Sequence, residues 1–468
     1  MDIKTLYAKA SRERADWLAR WQACKKYTLP ETDTESAQLF DSTAADAAEM
    51  LAGAMFSMIT PPESDWLCLT NDDPESLAEQ AAENAIRIHL NNSNFYTTAH
   101  QCYLDLVVLG TACLLFSENP IGSQSAFNFQ SIPMKDIAIL RDASDAVSAV
   151  FYITSMSAME LGAKYPAFTP PKSVKEIWKQ NPETQVRIIQ SVIKSGTAWG
   201  LTSWADLEGE FENNVLERGE FKTNPFVICR WSAATGEMYG RGPVMRALPD
   251  IKTANKVVEL ILKNASISVA GIWQADDDGV INLSNISLTP GAIIPKAVGS
   301  NGLTPLRSGA DFDVSQLVLN DLRMRIKTAL LADKLSSMTD KEMTATEVVA
   351  RNMEMLRTLG AAYGRLLFEM ITPLVDRGLG ILSRRGAIDD IRIGKQTKLR
   401  CTSPISKLSG TEQASQILNW IETISSVGMS DRINTDAMFT YLTDLLHIPS
   451  QLIKVPLKGE GVSRRSEA

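Results

Sequence analysis

Histidine is almost missing from this chain. His89, His100 and His447 are the only three in 468 residues, and none stands four positions from another. That argues against a zinc hydrolase of the H-x-x-x-H kind. There is no G-x-S-x-G elbow and no G-x-x-x-x-G-K-[ST] loop, so neither an acyl-transfer hydrolase nor a P-loop motor has support. The G-x-G of YGRGPVM lacks the third glycine and a nucleotide-binding strand before it, and it reads as the approach to a helix. Asp276, Asp277 and Asp278 ahead of Gly279 read as a β-turn rather than as metal ligands. No catalytic, cofactor-binding or metal-ligating residue is assigned.

Cysteine is sparse and scattered: Cys24, Cys68, Cys102, Cys113, Cys229 and Cys401 form no C-x-x-C pair. They read as buried small hydrophobes in a reducing compartment. Long apolar runs are lacking too. The longest, Leu106 to Phe116, is too short to span a bilayer, and the charged amphipathic start MDIKTLYAKASRERADW is no signal peptide. These features predict synthesis in the cytoplasm and no membrane partner. Excess positive charge is also absent: 47 Lys and Arg face 55 Asp and Glu, a net charge of -8. A protein that grips nucleic acid is usually basic, so a clamp is disfavoured. A passage through which DNA slides is not, because strong phosphate contacts would brake it.

What is present is length and periodicity. A chain of 468 residues with 44% hydrophobic content suggests more than one globular unit or one large interlocked body. Helices are expected over the first 26 residues, ending before an extended YTLP (27–30), and over 42–59, 75–90 and 97–109. Strands are expected at 66–69 and 113–116. The span 127–231 alternates β runs (VSAVFYITSM, TQVRIIQSVI, NPFVICRW) with short helices, an α+β body.

The organising stretch is 239–373. Pro243 suits a first helical position, and Val244, Ala247, Ile251, Ala254, Val258 and Ile261 then recur at steps of three or four. Pro249 predicts a kink there, or a short helix followed by a longer one. Turn formers and short β runs fill 271–311, and a second helix returns from Asp313, so the pair makes an antiparallel stalk with a β tip. A polar loop follows. Thr344 and Glu347 form a capping box for a helix expected to reach Thr372, just before Pro373, about 43 Å in all. Beyond it, SRRGAIDDIRIG reads as a turn and strand, followed by helices at 412–427 and 435–447.

The ordered blocks LGTACLLFSE, RWSAATGEMYGRGPVMRALPDIKTANK, MTATEVVARNMEMLRTLG and RLLFEMITPLVDRG resemble the portal (head-to-tail connector) proteins of short-tailed, podovirus-type bacteriophages. The likeness spans about 17–449. It implies an α+β, helix-rich portal-type fold: wing 1–240, first stem helix 241–270, clip 271–312, second stem helix 313–332, tunnel loop 333–343, a long wing-to-crown helix with its return 344–404, crown 405–450, and a mobile tail 451–468. It also implies a ring, expected to be a dodecamer, at a capsid vertex of the virion. The implied partners are double-stranded DNA held without sequence preference, a terminase packaging motor, tail adaptor proteins, and major capsid and scaffolding proteins. On this view the loop residues Asp333, Lys334, Asp340, Lys341 and Glu342 line the channel. Lys252, Lys256, Lys263, Arg323, Arg325 and Lys327 divide between the bore and neighbouring subunits, and Asp276 to Gly279 form the clip tip. Two rivals remain: a cytosolic multi-domain enzyme of unknown chemistry, and a helical scaffold or adaptor of the virion.

Overall fold

Helices laid over two antiparallel sheets make up the first half of the chain. The computed structural model describes residues 2–29, 39–62, 66–70, 77–270, 273–274, 304–305, 312–333, 359–360, 362–389, 391, 393, 397–401, 404–426 and 434–445. Helix α1 (Ile3–Thr28) buries Ala10, Arg14, Trp17, Trp21 and Cys24, one face at steps of three or four. It runs through Tyr27, which the sequence suggested was extended. Thr28 Oγ1 donates to Cys24 O at 2.9 Å, and Lys25 and Lys26 in the last turn complement the helix dipole. Helix α2 (Thr43–Ile59) buries Ala44, Ala47, Ala48, Leu51, Ala52, Met55 and Ile59, and its small residues let α4 (Phe95–Leu109) lie close against it.

Strand β1 (Leu67–Thr70) and helix α3 (Leu77–Asn91) precede α4. A three-stranded sheet follows in the order β3-β2-β9, from β2 (Thr111–Glu118), β3 (Phe127–Ser131) and β9 (Phe226–Arg230). A five-stranded meander lies beside it: β4 (Ile137–Arg141), β5 (Val147–Ser157), β6 (Gln185–Ser195), β7 (Ala198–Ala205) and β8 (Val215–Phe221), with β4 and β8 at its edges. Two short helices, α5 (Ala158–Lys164) and α6 (Lys172–Gln180), fill the β5–β6 connection.

Helix α7 (Pro243–Ala270) is one unbroken helix, so Pro249 neither ends it nor splits it in two. The proline removes one backbone bond in the second turn, a loss offset by burial of Val244, Ala247, Ile251 and Ala254 around it. Strand β10 (Trp273–Gln274) pairs antiparallel with β11 (Thr304–Pro305), and α8 (Phe312–Ala329) returns along α7.

Pro373 does not stop the next helix either. A π-helical turn at Leu367–Ile371 runs straight into α9 (Thr372–Arg384). Proline cannot donate to the carbonyl four residues back, and its ring would strike that carbonyl. The wider turn removes the conflict: the Thr372 amide and its hydroxyl both reach Leu367 O, the hydroxyl at 2.8 Å. Among the described residues of 383–394 only Ile393 is bridged, to Thr397, and the strand found is β12 (Lys398–Cys401), which pairs with β1. Helix α10 (Pro404–Ser426) starts at a proline suited to the first turn, earlier than the expected Glu412, and α11 (Thr435–Leu445) follows. The chain adopts the expected α+β, helix-rich class. No helix among the described residues is long and apolar enough to cross a membrane. Asp276 to Gly279, Lys334 to Glu342, the Thr344–Glu347 box and residues 451–468 lie outside the described residues.

Candidate functional site: the junction at the foot of the helix pair

Three of the four sequence blocks singled out above converge where α7 leaves the body. Helix α4 ends on Gly110 in the left-handed region (φ 79), its N–H on Leu106 O, and the chain turns at once into β2. The segment Tyr239-Gly240-Arg241-Gly242 lies against that turn. Trp231 N donates to Gly110 O at 2.9 Å, and Gly240 N to Thr111 Oγ1 at 2.7 Å. A Cβ on Gly110 would lie 2.5 Å from Arg241 C and from Gly240 O, and one on Gly242 would lie 2.5 Å from Val107 O. Only glycine allows backbone to meet backbone this closely. The Tyr239 ring is fully buried against Trp17 and Trp21, and its hydroxyl accepts from Ile139 N at 3.2 Å.

Beside the glycines sits a charge cluster centred on a buried arginine. Arg230, at the end of β9, is 1% exposed and donates to both oxygens of Glu369 and of Asp145. Glu369 also accepts from Arg230 N at 2.9 Å and lies 3.7 Å from Arg141 and 3.5 Å from Arg365. It sits in the π-helical turn, so the device that admits Pro373 carries the carboxylate that anchors β9. Asp145 reaches Arg230 from the β4–β5 hairpin with φ 60, a conformation aspartate tolerates better than most residues. Burial opposes the charge of Arg230, but its bonds to Glu369 and Asp145 prevail and raise its pKa. The Arg230 hydrogen bond, against a smaller burial penalty, holds Asp145 below the usual carboxylate range.

A second clasp joins both long helices to α2. Asn255 of α7 accepts from Phe40 N and Asp41 N, at 2.7 and 3.1 Å, and Arg323 of α8 donates to buried Asp41 at 2.8 Å. Burial would raise the Asp41 pKa, yet bonds from Thr43 and Arg323 hold it below its ordinary value. Of the other expected stem residues, Lys256 and Lys263 both pair with Glu259, at 2.9 and 2.6 Å, and Arg325 pairs with Asp321 at 2.9 Å. Lys252 and Lys327 are exposed, with no ion pair among the described residues. Leu331 (φ 58) turns the chain out of α8, and Asp333 lies 3.4 Å from the Thr328 hydroxyl.

The geometry is that of a rigid mount for a projecting helix pair. The family model described as bacteriophage head to tail connecting protein matches residues 1–453. The chain belongs to that family. Portal proteins are among this connector's relatives. The probable portal protein of Bordetella phage BPP-1 is 24% identical over 78% of this chain and 71% of its own length. The portal protein of Escherichia phage T7 is 22% identical over 80% and 72%, and that of Salmonella phage epsilon15 is 20% identical over 92% and 83%. Among solved structures, a chain from a native gene transfer agent virion aligns over 92% of this connector and 95% of its own length, at 10% identity and a TM-score of 0.40.

Sequence reasoning missed Arg230, Glu369, Asp145 and Gly110 as a group, although three of the quoted blocks contain one or more of the first, second and fourth. It also missed Asp105 on α4, where burial pushes the carboxyl up to about 6 against the opposing pull of Lys25 and the Ser131 hydroxyl. Its unfolded value is about 4, so the folded state holds the extra proton and stability falls as pH rises from about 4 to about 6. Asp105→Asn is therefore expected to raise the melting temperature at pH 7 and to leave it nearly unchanged at pH 4. Melting curves at the two pH values check this, and equal shifts at both would contradict it.

Proposed function

We propose that this connector is a portal protein. Copies of the chain close into a ring at one vertex of the capsid, and double-stranded DNA passes through the ring during packaging and ejection. The observation that carries the reading is the family match across 1–453, together with relatives named as portal proteins. The structure supports it with a helix pair, clasped at its foot, that is free to stand beside the pairs of neighbouring copies. Exposed Lys327 on that pair suits non-specific phosphate contact, and the chain's net charge of -8 suits a passage that does not grip.

The family resemblance implies the following parts and partners. The ring is a dodecamer, the β10–β11 end is the clip that meets the terminase motor and later the tail adaptors, and 333–343 is the tunnel loop. Capsid and scaffolding proteins surround the wing. A nonsense mutation in the gene is expected to leave heads without nuclease-protected DNA, with supply of the intact chain restoring it. DNA-filled, tailed heads formed without the chain would refute the proposal. Lys334→Ala combined with Lys341→Ala is expected to reduce retention of packaged DNA severalfold while rings still assemble. Unchanged packaging and retention would remove the loop from the channel.

A further inference from the structure

A cavity of about 690 Å³ opens at the N-terminus of α7, lined by Arg20, Trp231, Arg241, Gly242, Arg246 and Lys252. Arg241 is held by Glu237. Arg20, Arg246 and Lys252 are exposed and make no ion pair among the described residues. In an acidic chain this is a concentrated positive groove, reinforced by the first turn of a helix. The opposite charge gathers at the far side of the five-stranded sheet. Between 206 and 221 stand six carboxylates and one arginine, Arg218, and Glu208, Glu210, Glu217 and Glu220 are exposed with no ion pair among the described residues. There β8 is an edge strand, with one side of its backbone unpaired in the sheet.

The two patches cannot meet within one chain. Helix α1 connects them: Lys4 lies over Phe211 beside the acidic patch, and Arg20 lines the basic groove. Sixteen residues of helix separate Lys4 from Arg20, about 24 Å at 1.5 Å per residue. That is well beyond a screening length of about 8 Å, so neither patch neutralises the other. A head-to-tail ring needs two different surfaces on each copy that complement one another. We infer that the acidic β8 edge of one copy docks against the basic groove at the foot of α7 in the next. This rests on the ring proposed above. The occupant of the groove is thus a second copy of this chain, its β8 edge entering with Glu217 on one face of the strand and Glu220 on the other, toward Arg20 and Arg246 on the groove walls.

The test is a charge swap on the full chain, read as particle mass in solution and by electron microscopy, with melting curves to confirm folding. All four side chains are exposed, so the variants are expected to fold. Arg20→Glu with Arg246→Glu, and separately Glu217→Lys with Glu220→Lys, are each expected to lower the ring fraction at least tenfold. Combining all four is expected to restore rings. Failure of the combination to recover would overturn the pairing, and so would intact rings in either double variant. Intact rings with weakened DNA retention in the arginine variant would assign the groove to DNA instead. If the unaltered chain forms no ring, the portal reading itself fails, and that outcome is distinct from a failed swap.

Discussion

Gly110→Ala is expected to prevent recovery of a folded chain. The substitution forces an alanine to φ 79, and it drives the new methyl into the backbone of Gly240, Arg241 and Gly242. A strained φ alone costs about 1–2 kcal/mol, but here no side chain can swing aside. The turn must separate from the segment that launches α7, which breaks the bonds from Trp231 N and Gly240 N. A loss above about 4 kcal/mol follows, large against a typical total of 5–15. Gly53 in α2 is the control: nothing lies within 4 Å of its would-be Cβ, so Gly53→Ala is expected to stabilise by about 1 kcal/mol. Soluble yield and melting temperature distinguish the two. A Gly110→Ala chain that melts within a degree or two of the unaltered protein would mean the junction is looser than described.

Glu369→Gln is expected to cost about 3–5 kcal/mol, the range for removing one partner from a buried ion pair. Glutamine keeps the shape but has one acceptor oxygen. Its amide N–H groups would face the donors of Arg230, which is 1% exposed and would be left with Asp145, a largely exposed carboxylate, as its remaining hydrogen-bonded anionic partner. Glu212→Gln, at an exposed pair with Arg218, is expected to leave the melting temperature unchanged. Acid should act in the same direction. Asp145 and Asp41 both have folded pKa values below their ordinary ones, so their contribution is present above the unfolded value of about 4 and is lost as pH falls through the folded value. Glu369→Gln with an unaltered denaturation midpoint would show that the cluster is not what ties β9 to the π-helical turn.

How much of this could be read from the sequence depends on how far each signal reaches along the chain. The α1, α2, α4, α7 and α8 helices were legible because one apolar face repeats locally. Pro373 misled, and Pro249 did not split α7 in two, because a rule about one missing N–H ignores what surrounds it. In α7 a buried face offsets the loss, and before α9 a wider turn moves the clashing carbonyl away. The junction was only half legible. Its glycines stood out, but the reason for them did not, since Gly110 and Gly240 meet across 130 residues. The partners of Arg230 lie 85 and 139 residues away, and no spacing rule links them. Arg323 adds another long-range contact: on α8 it pairs with Asp41 of its own chain, which no helix periodicity announces.

The most direct test of the account is electron microscopy of the purified full chain, with its solution mass measured on the same sample. Closed rings of many copies around a hole wide enough for a DNA duplex, dissociating as salt rises, are expected. Monomers, dimers or open filaments at every salt concentration would contradict it.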